Sequence, residues 1–129
     1  MKEAALAMED LHFEHRVWSN ALTFFKYEIE LYEKRLEELV LKYDDHQMLA
    51  NLEHFQNQFI RQKEVVDELQ HEIHRHEAVI ANFAKNDQTD NLHHTHFDYH
   101  ENLNDKMKTF KKLYAEMKEG FWKFSAKWK

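Results

Sequence analysis

The chain has 129 residues, a length that suits one compact domain, and we treat residues 1–129 as a single domain. Its formal net charge is −6 and no basic stripe stands out, so we expect no nucleic-acid partner. No apolar run approaches the roughly 20 residues that cross a bilayer, so we expect no membrane span and a cytoplasmic protein. The sequence contains no cysteine, which excludes disulfides, thiolate metal sites and cysteine nucleophiles.

The composition favours an all-α fold, because there is no proline and only one glycine, Gly120, to interrupt a helix. The first predicted helix covers residues 9–43. Its inward side chains recur in alternating steps of four and three residues, which is the spacing of a coiled coil. This inward row, which we call the seam, consists of Met8, Leu11, His15, Trp18, Leu22, Phe25, Ile29, Tyr32, Leu36, Leu39 and Tyr43. Only His15 is not apolar.

A break follows at residues 43–47, where Asp44 is the predicted N-cap and Gln47 completes a capping box. The second predicted helix covers residues 45–85. Its seam has the same spacing and contains two polar members, Gln62 and His76. We predict that Gln62 forms a hydrogen-bonded pair with a residue of the third helix, Tyr114, and so fixes the register of the bundle.

Turn-forming residues at 86–91 separate the third predicted helix, residues 91–127, from the second. Both connections are short, so neighbouring helices are antiparallel and form an up-down-up three-helix bundle. In outline this resembles spectrin-type three-helix coiled coils. The register of the apolar residues places His15, His76 and His100 in one layer, near the end of the bundle that carries the second connection.

That layer indicates a metal site, because three neutral imidazoles with an open fourth position match zinc chemistry. His96 lies one helical turn before His100, and histidines four residues apart on a helix can bind one ion together. The predicted ligands are His15, His76, His96 and His100, with Glu72 and His93 as outer or additional ligands. Imidazole suits zinc, iron, copper and nickel alike, so the sequence predicts a divalent transition metal without selecting one.

A second interpretation is a non-enzymatic coiled-coil interaction or scaffold protein whose histidine layer is structural or senses pH. Histidine is common in this chain, and several histidines are predicted to face solvent: His12, His46, His54, His71, His74 and His94. No motif predicts a reaction. The Glu-x-x-His strings at residues 9–12 and 68–71 fall on flanking or outward positions, which does not suit a di-iron carboxylate site. The sequence therefore favours a role without catalysis.

The first helix also has apolar residues opposite its seam. A helix that is buried in one bundle alone carries polar residues on that face. A second copy of the chain is the simplest partner, because symmetric dimers are the commonest soluble assemblies. We therefore expect a homodimer that is formed through Phe13, Val17, Phe24, Tyr27 and Leu31.

Overall fold

The computed structural model describes the backbone of residues 2–85 and 89–128 and the side chains of residues 9–82 and 99–128. It consists of three long helices, α1 (Lys2–Lys42), α2 (His46–Lys85) and α3 (Thr89–Lys127), each of which packs against the other two. With 39 to 41 residues apiece, the helices are about 60 Å long. The predicted all-α three-helix bundle with up-down-up order is confirmed.

The helix ends differ from the predicted boundaries by more than one residue in two places. α1 begins at Lys2 and not near residue 9, because residues 2–8 are mostly strong helix formers without proline or glycine. α3 begins at Thr89, two residues earlier than predicted. The connection between α2 and α3, residues 86–88, lies outside the described residues.

The N-cap of α2 is Asp45, so the predicted capping box of Asp44 and Gln47 is wrong. The Asp45 carboxylate accepts a hydrogen bond from the Met48 backbone N–H at 2.9 Å. Its backbone carbonyl accepts the first bond of the helix, from the Leu49 N–H, also at 2.9 Å. Both aspartates are suitable caps, and the one directly before the first helical residue takes the position.

Buried apolar residues from the seams of all three helices form one continuous core. Ring contacts agree with several of the layers that the register predicts. Tyr43 and Trp128 lie 5.5 Å apart between centroids at one end, and Phe25 and Phe110 lie 5.5 Å apart nearer the middle. The side chains of four members of the predicted seams lie outside the described residues: Met8 of α1, Phe83 of α2, and His93 and His96 of α3. No helix in the described part of the chain is long and apolar enough to span a membrane.

A polar network on the α1–α3 side of the core replaces the predicted pair of Gln62 and Tyr114. The Tyr114 hydroxyl donates a hydrogen bond to Glu28 Oε1 at 2.5 Å, and Lys118 Nζ donates to Glu28 Oε2 at 3.3 Å. Gln62 Oε1 is buried and has no hydrogen-bond partner within the described residues. The prediction was wrong because an ionised carboxylate is a stronger acceptor than a side-chain amide.

The face of α1 opposite its seam is exposed, as predicted. The five large side chains on this face are 46–66% exposed, and we call them the outer stripe: Phe13, Val17, Phe24, Tyr27 and Leu31.

Candidate functional site: a buried histidine cluster

Three histidines, one from each helix, meet in the core. His15 of α1, His76 of α2 and His100 of α3 are only 1%, 3% and 7% exposed. One ring nitrogen of each lies within 4.8 Å of a ring nitrogen of the other two. The predicted layer is therefore confirmed, and we call these three residues the His cluster.

The inward nitrogens of the His cluster are close enough to share one small cation. His15 Nε2 lies 3.2 Å from His76 Nδ1 and 3.2 Å from His100 Nδ1. The rings are tilted and not stacked, so they meet through their edges. On another side, the Trp18 ring stacks on the His100 ring with centroids 4.7 Å apart. This indole covers part of the cluster and helps to exclude water from it.

The outward nitrogens of two of these rings are bonded to carboxylates. His15 Nδ1 donates to Glu77 Oε1 at 2.5 Å, and His100 Nε2 donates to Glu14 Oε2 at 2.8 Å. We assign the protons to the rings because an ionised carboxylate can only accept. A neutral imidazole has a single N–H, so the inward nitrogens of His15 and His100 each carry a lone pair. Two lone pairs thus face each other at 3.2 Å.

Burial favours the neutral form of the central ring. Desolvation lowers the pKa of His15 below its usual value of 6.5, although the hydrogen bond and charge of Glu77 partly oppose this. The neighbouring His100 and His12 lower the pKa of His15 further. A neutral imidazole is the form that binds a metal.

The remaining predicted ligands are not part of the described cluster. The side chains of His96 and His93 lie outside the described residues, so their position relative to His100 stays a prediction. Glu72 accepts a hydrogen bond from Lys106 Nζ at 2.9 Å. Its side chain lines a cleft of about 250 Å³ together with Arg75, His76, Val79 and Tyr99. This cleft connects the outer side of His76 to solvent.

The carboxylates that orient the rings do not bond to the histidines next to them in sequence. Glu14 adjoins His15 but bonds to His100, and Glu77 adjoins His76 but bonds to His15. Consecutive residues on a helix point about 100° apart, so a flanking residue reaches across to the neighbouring helix. The flanking positions of the heptad are the signal that identifies these partners.

One contributor was missed in the sequence, where His12 was predicted only to face solvent. Its side chain is 57% exposed, yet His12 Nδ1 lies 2.7 Å from Glu77 Oε2. Glu77 therefore bridges a buried histidine and an exposed one. Its second oxygen is held in place while the first orients His15.

Comparisons with protein-family models, with curated proteins and with solved structures gave no match for this chain.

Proposed function

We propose that this protein binds one divalent transition-metal ion per chain at the His cluster. The observation that carries the proposal is the pair of carboxylate bonds on the outer side of the rings. They direct the lone pairs of His15 Nε2 and His100 Nδ1 to the same point. A carboxylate behind a ligating histidine is the usual means of fixing the ring's tautomer and orientation in metal proteins.

The spacing of the nitrogens agrees with this assignment. Two imidazole nitrogens on a tetrahedral ion, each about 2.0–2.1 Å from the metal, lie about 3.3–3.4 Å apart. The two distances from His15 Nε2 to His76 Nδ1 and His100 Nδ1 are both 3.2 Å. An ion therefore needs only a small movement of the rings to reach all three.

The charges near the cluster also suit a divalent ion. Three neutral imidazoles contribute no charge, and Glu14 and Glu77 contribute one negative charge each. An ion with two positive charges is balanced by these carboxylates, which lowers the cost of burying it. The cleft beside His76 provides an entry route, and His96 is the proposed fourth ligand. Because the cluster is buried, metal storage or sensing fits it better than catalysis on a large substrate.

The test is metal analysis of protein that was purified without an affinity tag. We expect one equivalent of zinc, copper, nickel or iron per chain, and no bound metal after His76→Ala. His54→Ala is the matched control, because His54 is an exposed histidine on the same helix. Wild-type protein that takes up no ion when titrated with each of these metals contradicts the proposal.

A second variant tests the carboxylates separately from the ligands. Glu77→Ala removes the acceptor from His15 Nδ1 and leaves all three imidazoles in place. We expect it to weaken metal binding by about 10–100-fold, since partners behind the ligands have effects of that size. Glu64→Ala, an exposed carboxylate on the same helix, is the control. Equal affinity in both variants contradicts the role assigned to Glu77.

The alternative function is a scaffold protein in which the His cluster is a structural polar layer. It is favoured by one observation, that each histidine comes from a different helix and so fixes the register of all three. In that case the third ring can supply a donor, because His76 Nδ1 lies 3.2 Å from His15 Nε2. A chelator then leaves the thermal stability of the wild-type protein unchanged, whereas it lowers the stability of a metal protein.

We also propose that the chain forms a homodimer through the outer stripe of α1. The stripe places large apolar side chains in solvent along a helix whose other face is already buried. Phe24→Glu combined with Leu31→Glu is expected to convert a dimer to a monomer in light scattering and to leave helicity unchanged. Wild-type protein that is monomeric at high concentration contradicts this proposal.

A further inference from the structure

The outer stripe of α1 has the spacing of a second coiled-coil seam. Phe13, Val17, Asn20, Phe24, Tyr27 and Leu31 follow one another in alternating steps of four and three residues. This spacing fits another helix, because side chains at these steps form one row along the axis. The row is 46–66% exposed at its five apolar positions.

The row is complementary to itself when a second copy lies antiparallel. Phe13 and Leu31 are equally distant along the chain from Leu22, and so are Val17 and Tyr27. A two-fold axis that crosses α1 at Leu22 places Phe13 opposite Leu31 of the partner subunit and Val17 opposite Tyr27 of the partner subunit. Four of the five apolar side chains then meet another apolar side chain, and Phe24 lies opposite Asn20 of the partner subunit. A contact of this kind closes on itself as a dimer.

The charges beside the row favour the antiparallel arrangement. Arg16 and Glu30 are exposed, and neither forms a hydrogen bond or ion pair within the described residues. With the axis at Leu22, Arg16 lies two residues, about 3 Å along the helix, from the position directly opposite Glu30 of the partner subunit, so the two long side chains can reach each other. This pair occurs twice in each dimer.

The parallel alternative pairs Glu30 with Arg35 of the partner subunit, and the structure disfavours it. The Arg35 guanidinium already donates to Glu38 Oε2 at 3.1 Å and to Ser125 Oγ at 3.3 Å within its own chain. A parallel dimer would have to break or share these bonds. The antiparallel dimer uses two charged groups that form no hydrogen bond or ion pair within the described residues, although Glu30 interacts with Lys26 through its charge.

The available area is sufficient for a stable contact. Phe13, Phe24 and Tyr27 are 57–66% exposed. At roughly 150–250 Å² for a fully exposed aromatic side chain, they offer about 300–450 Å² per subunit. A stable interface removes about 800 Å² from each partner, so the three aromatic rings supply about half of it. The aliphatic members and the charged flanks lie on the same face.

We infer that two copies of this chain pair through α1 in antiparallel orientation, with the two-fold axis at Leu22. The inference rests on the homodimer proposed above and adds the orientation and the register of its helices.

Cysteine cross-linking tests the orientation, since the natural chain contains no cysteine. Protein carrying Phe13→Cys is mixed with protein carrying Leu31→Cys, with chelator present, and then oxidised. A disulfide needs Cβ atoms roughly 3.5–4.5 Å apart. We expect a cross-linked product from the mixture and none from Leu31→Cys alone, because two Leu31 residues lie about 27 Å apart along the axis of an antiparallel pair. Val17→Cys mixed with Tyr27→Cys is an independent second pair.

The outcomes separate the two proposals. A wild-type monomer overturns both the homodimer and its orientation. A wild-type dimer in which Leu31→Cys cross-links with itself overturns only the antiparallel orientation. A wild-type dimer without a cross-link in either mixture overturns the assignment of the interface to this face of α1.

A charge exchange provides a test without cysteine. Glu30→Arg places two arginines opposite each other, so we expect the dimer to dissociate at least several-fold more readily. Adding Arg16→Glu to the same chain restores the pair and is expected to restore the dimer. Glu53→Arg, an exposed charge reversal on α2, is the control. A double variant that is as weak as Glu30→Arg alone overturns the pairing of Arg16 with Glu30.

Discussion

Two polar sites in the described core, the Glu28 network and the His cluster, differ in whether their donors and acceptors match. In the Glu28 network, a carboxylate accepts hydrogen bonds from Tyr114 and Lys118, so donors and acceptors match. In the His cluster, two lone pairs meet at 3.2 Å because the ring protons of His15 and His100 are bonded outward. A matched network stabilises a fold by itself, whereas two facing lone pairs are stabilised by a cation or by a further donor.

The largest expected effect belongs to the apolar layers between these two sites. Phe110 is 2% exposed and packs against Phe25 and Tyr114. Phe110→Ala is expected to lower the free energy of unfolding by about 3–5 kcal/mol, because it leaves a cavity in the core. Chemical denaturation measures the change, and the exposed His54→Ala should stay within about 0.5 kcal/mol of wild type. Similar small effects for both variants would show that the layers are assigned wrongly.

The second effect is the response to metal, which should appear at one polar site only. An ion at 100 times its dissociation constant stabilises the folded state by about 2.7 kcal/mol. We expect thermal unfolding of wild type to move to higher temperature with metal and to return with chelator. His76→Leu should lose this response, and Tyr114→Phe should keep it. A response that survives His76→Leu would place the ion elsewhere.

Removing a hydrogen-bond donor from the Glu28 network should change the free energy of unfolding by less than metal binding does. Tyr114→Phe deletes the hydroxyl that bonds to Glu28, a charged acceptor, at a cost of about 1.5–2 kcal/mol. The charge of Glu28 remains balanced by Lys118 at 3.1 Å. Chemical denaturation should show the same loss of unfolding free energy for Tyr114→Phe with and without metal. A cost that changes with metal would show that the two sites are coupled.

The smallest effect is the pH dependence of the metal-free protein. Burial lowers the pKa of His15 in the folded state, and Glu77 offsets part of this lowering. Below about pH 6.5 the unfolded chain therefore binds more protons than the folded one. Stability from His15 is fully present above about pH 6.5 and declines as the pH falls through the lower folded value.

We expect the contribution of the Glu28 network to stability to stay constant in that range of pH. Burial opposes the ionisation of Glu28, but its hydrogen bonds, including those from Tyr114 and Lys118, lower its pKa below the usual value of 4.5. Glu28 therefore loses its contribution to stability only at more acidic pH. Thermal unfolding at pH 8 and pH 5.5 with chelator measures the difference. Replacing the three cluster histidines by leucine should remove most of it, and an unchanged slope would contradict the assignment.

Much of the fold and the centre of the site could be predicted from the sequence. The heptad spacing determined which residues face inward, and with two short connections it placed His15, His76 and His100 in one layer. The antiparallel order followed from the same two facts. These predictions succeeded because apolar burial dominates the packing of long helices.

The sequence was less informative about hydrogen-bond partners. Glu14 and Glu77 could be recognised as flanking residues, but which histidine each one contacts depends on how the flanks of neighbouring helices interlock. The choice between Gln62 and Glu28 as acceptor for Tyr114 also depends on side-chain conformation and not on periodicity. Both Asp44 and Asp45 are suitable N-cap residues, and the start of α2 at His46 decided between them.

Because each member of the His cluster belongs to a different helix, the cluster connects all three helices near this end of the bundle. Separating any helix from the other two takes an imidazole away from the shared centre. With an ion bound there, the amide protons of the flanking turns in α1, α2 and α3 should exchange with deuterium as one group, at a rate that ion release limits. The fraction of chains with an ion bound at the His cluster would then determine how often this end of the bundle opens.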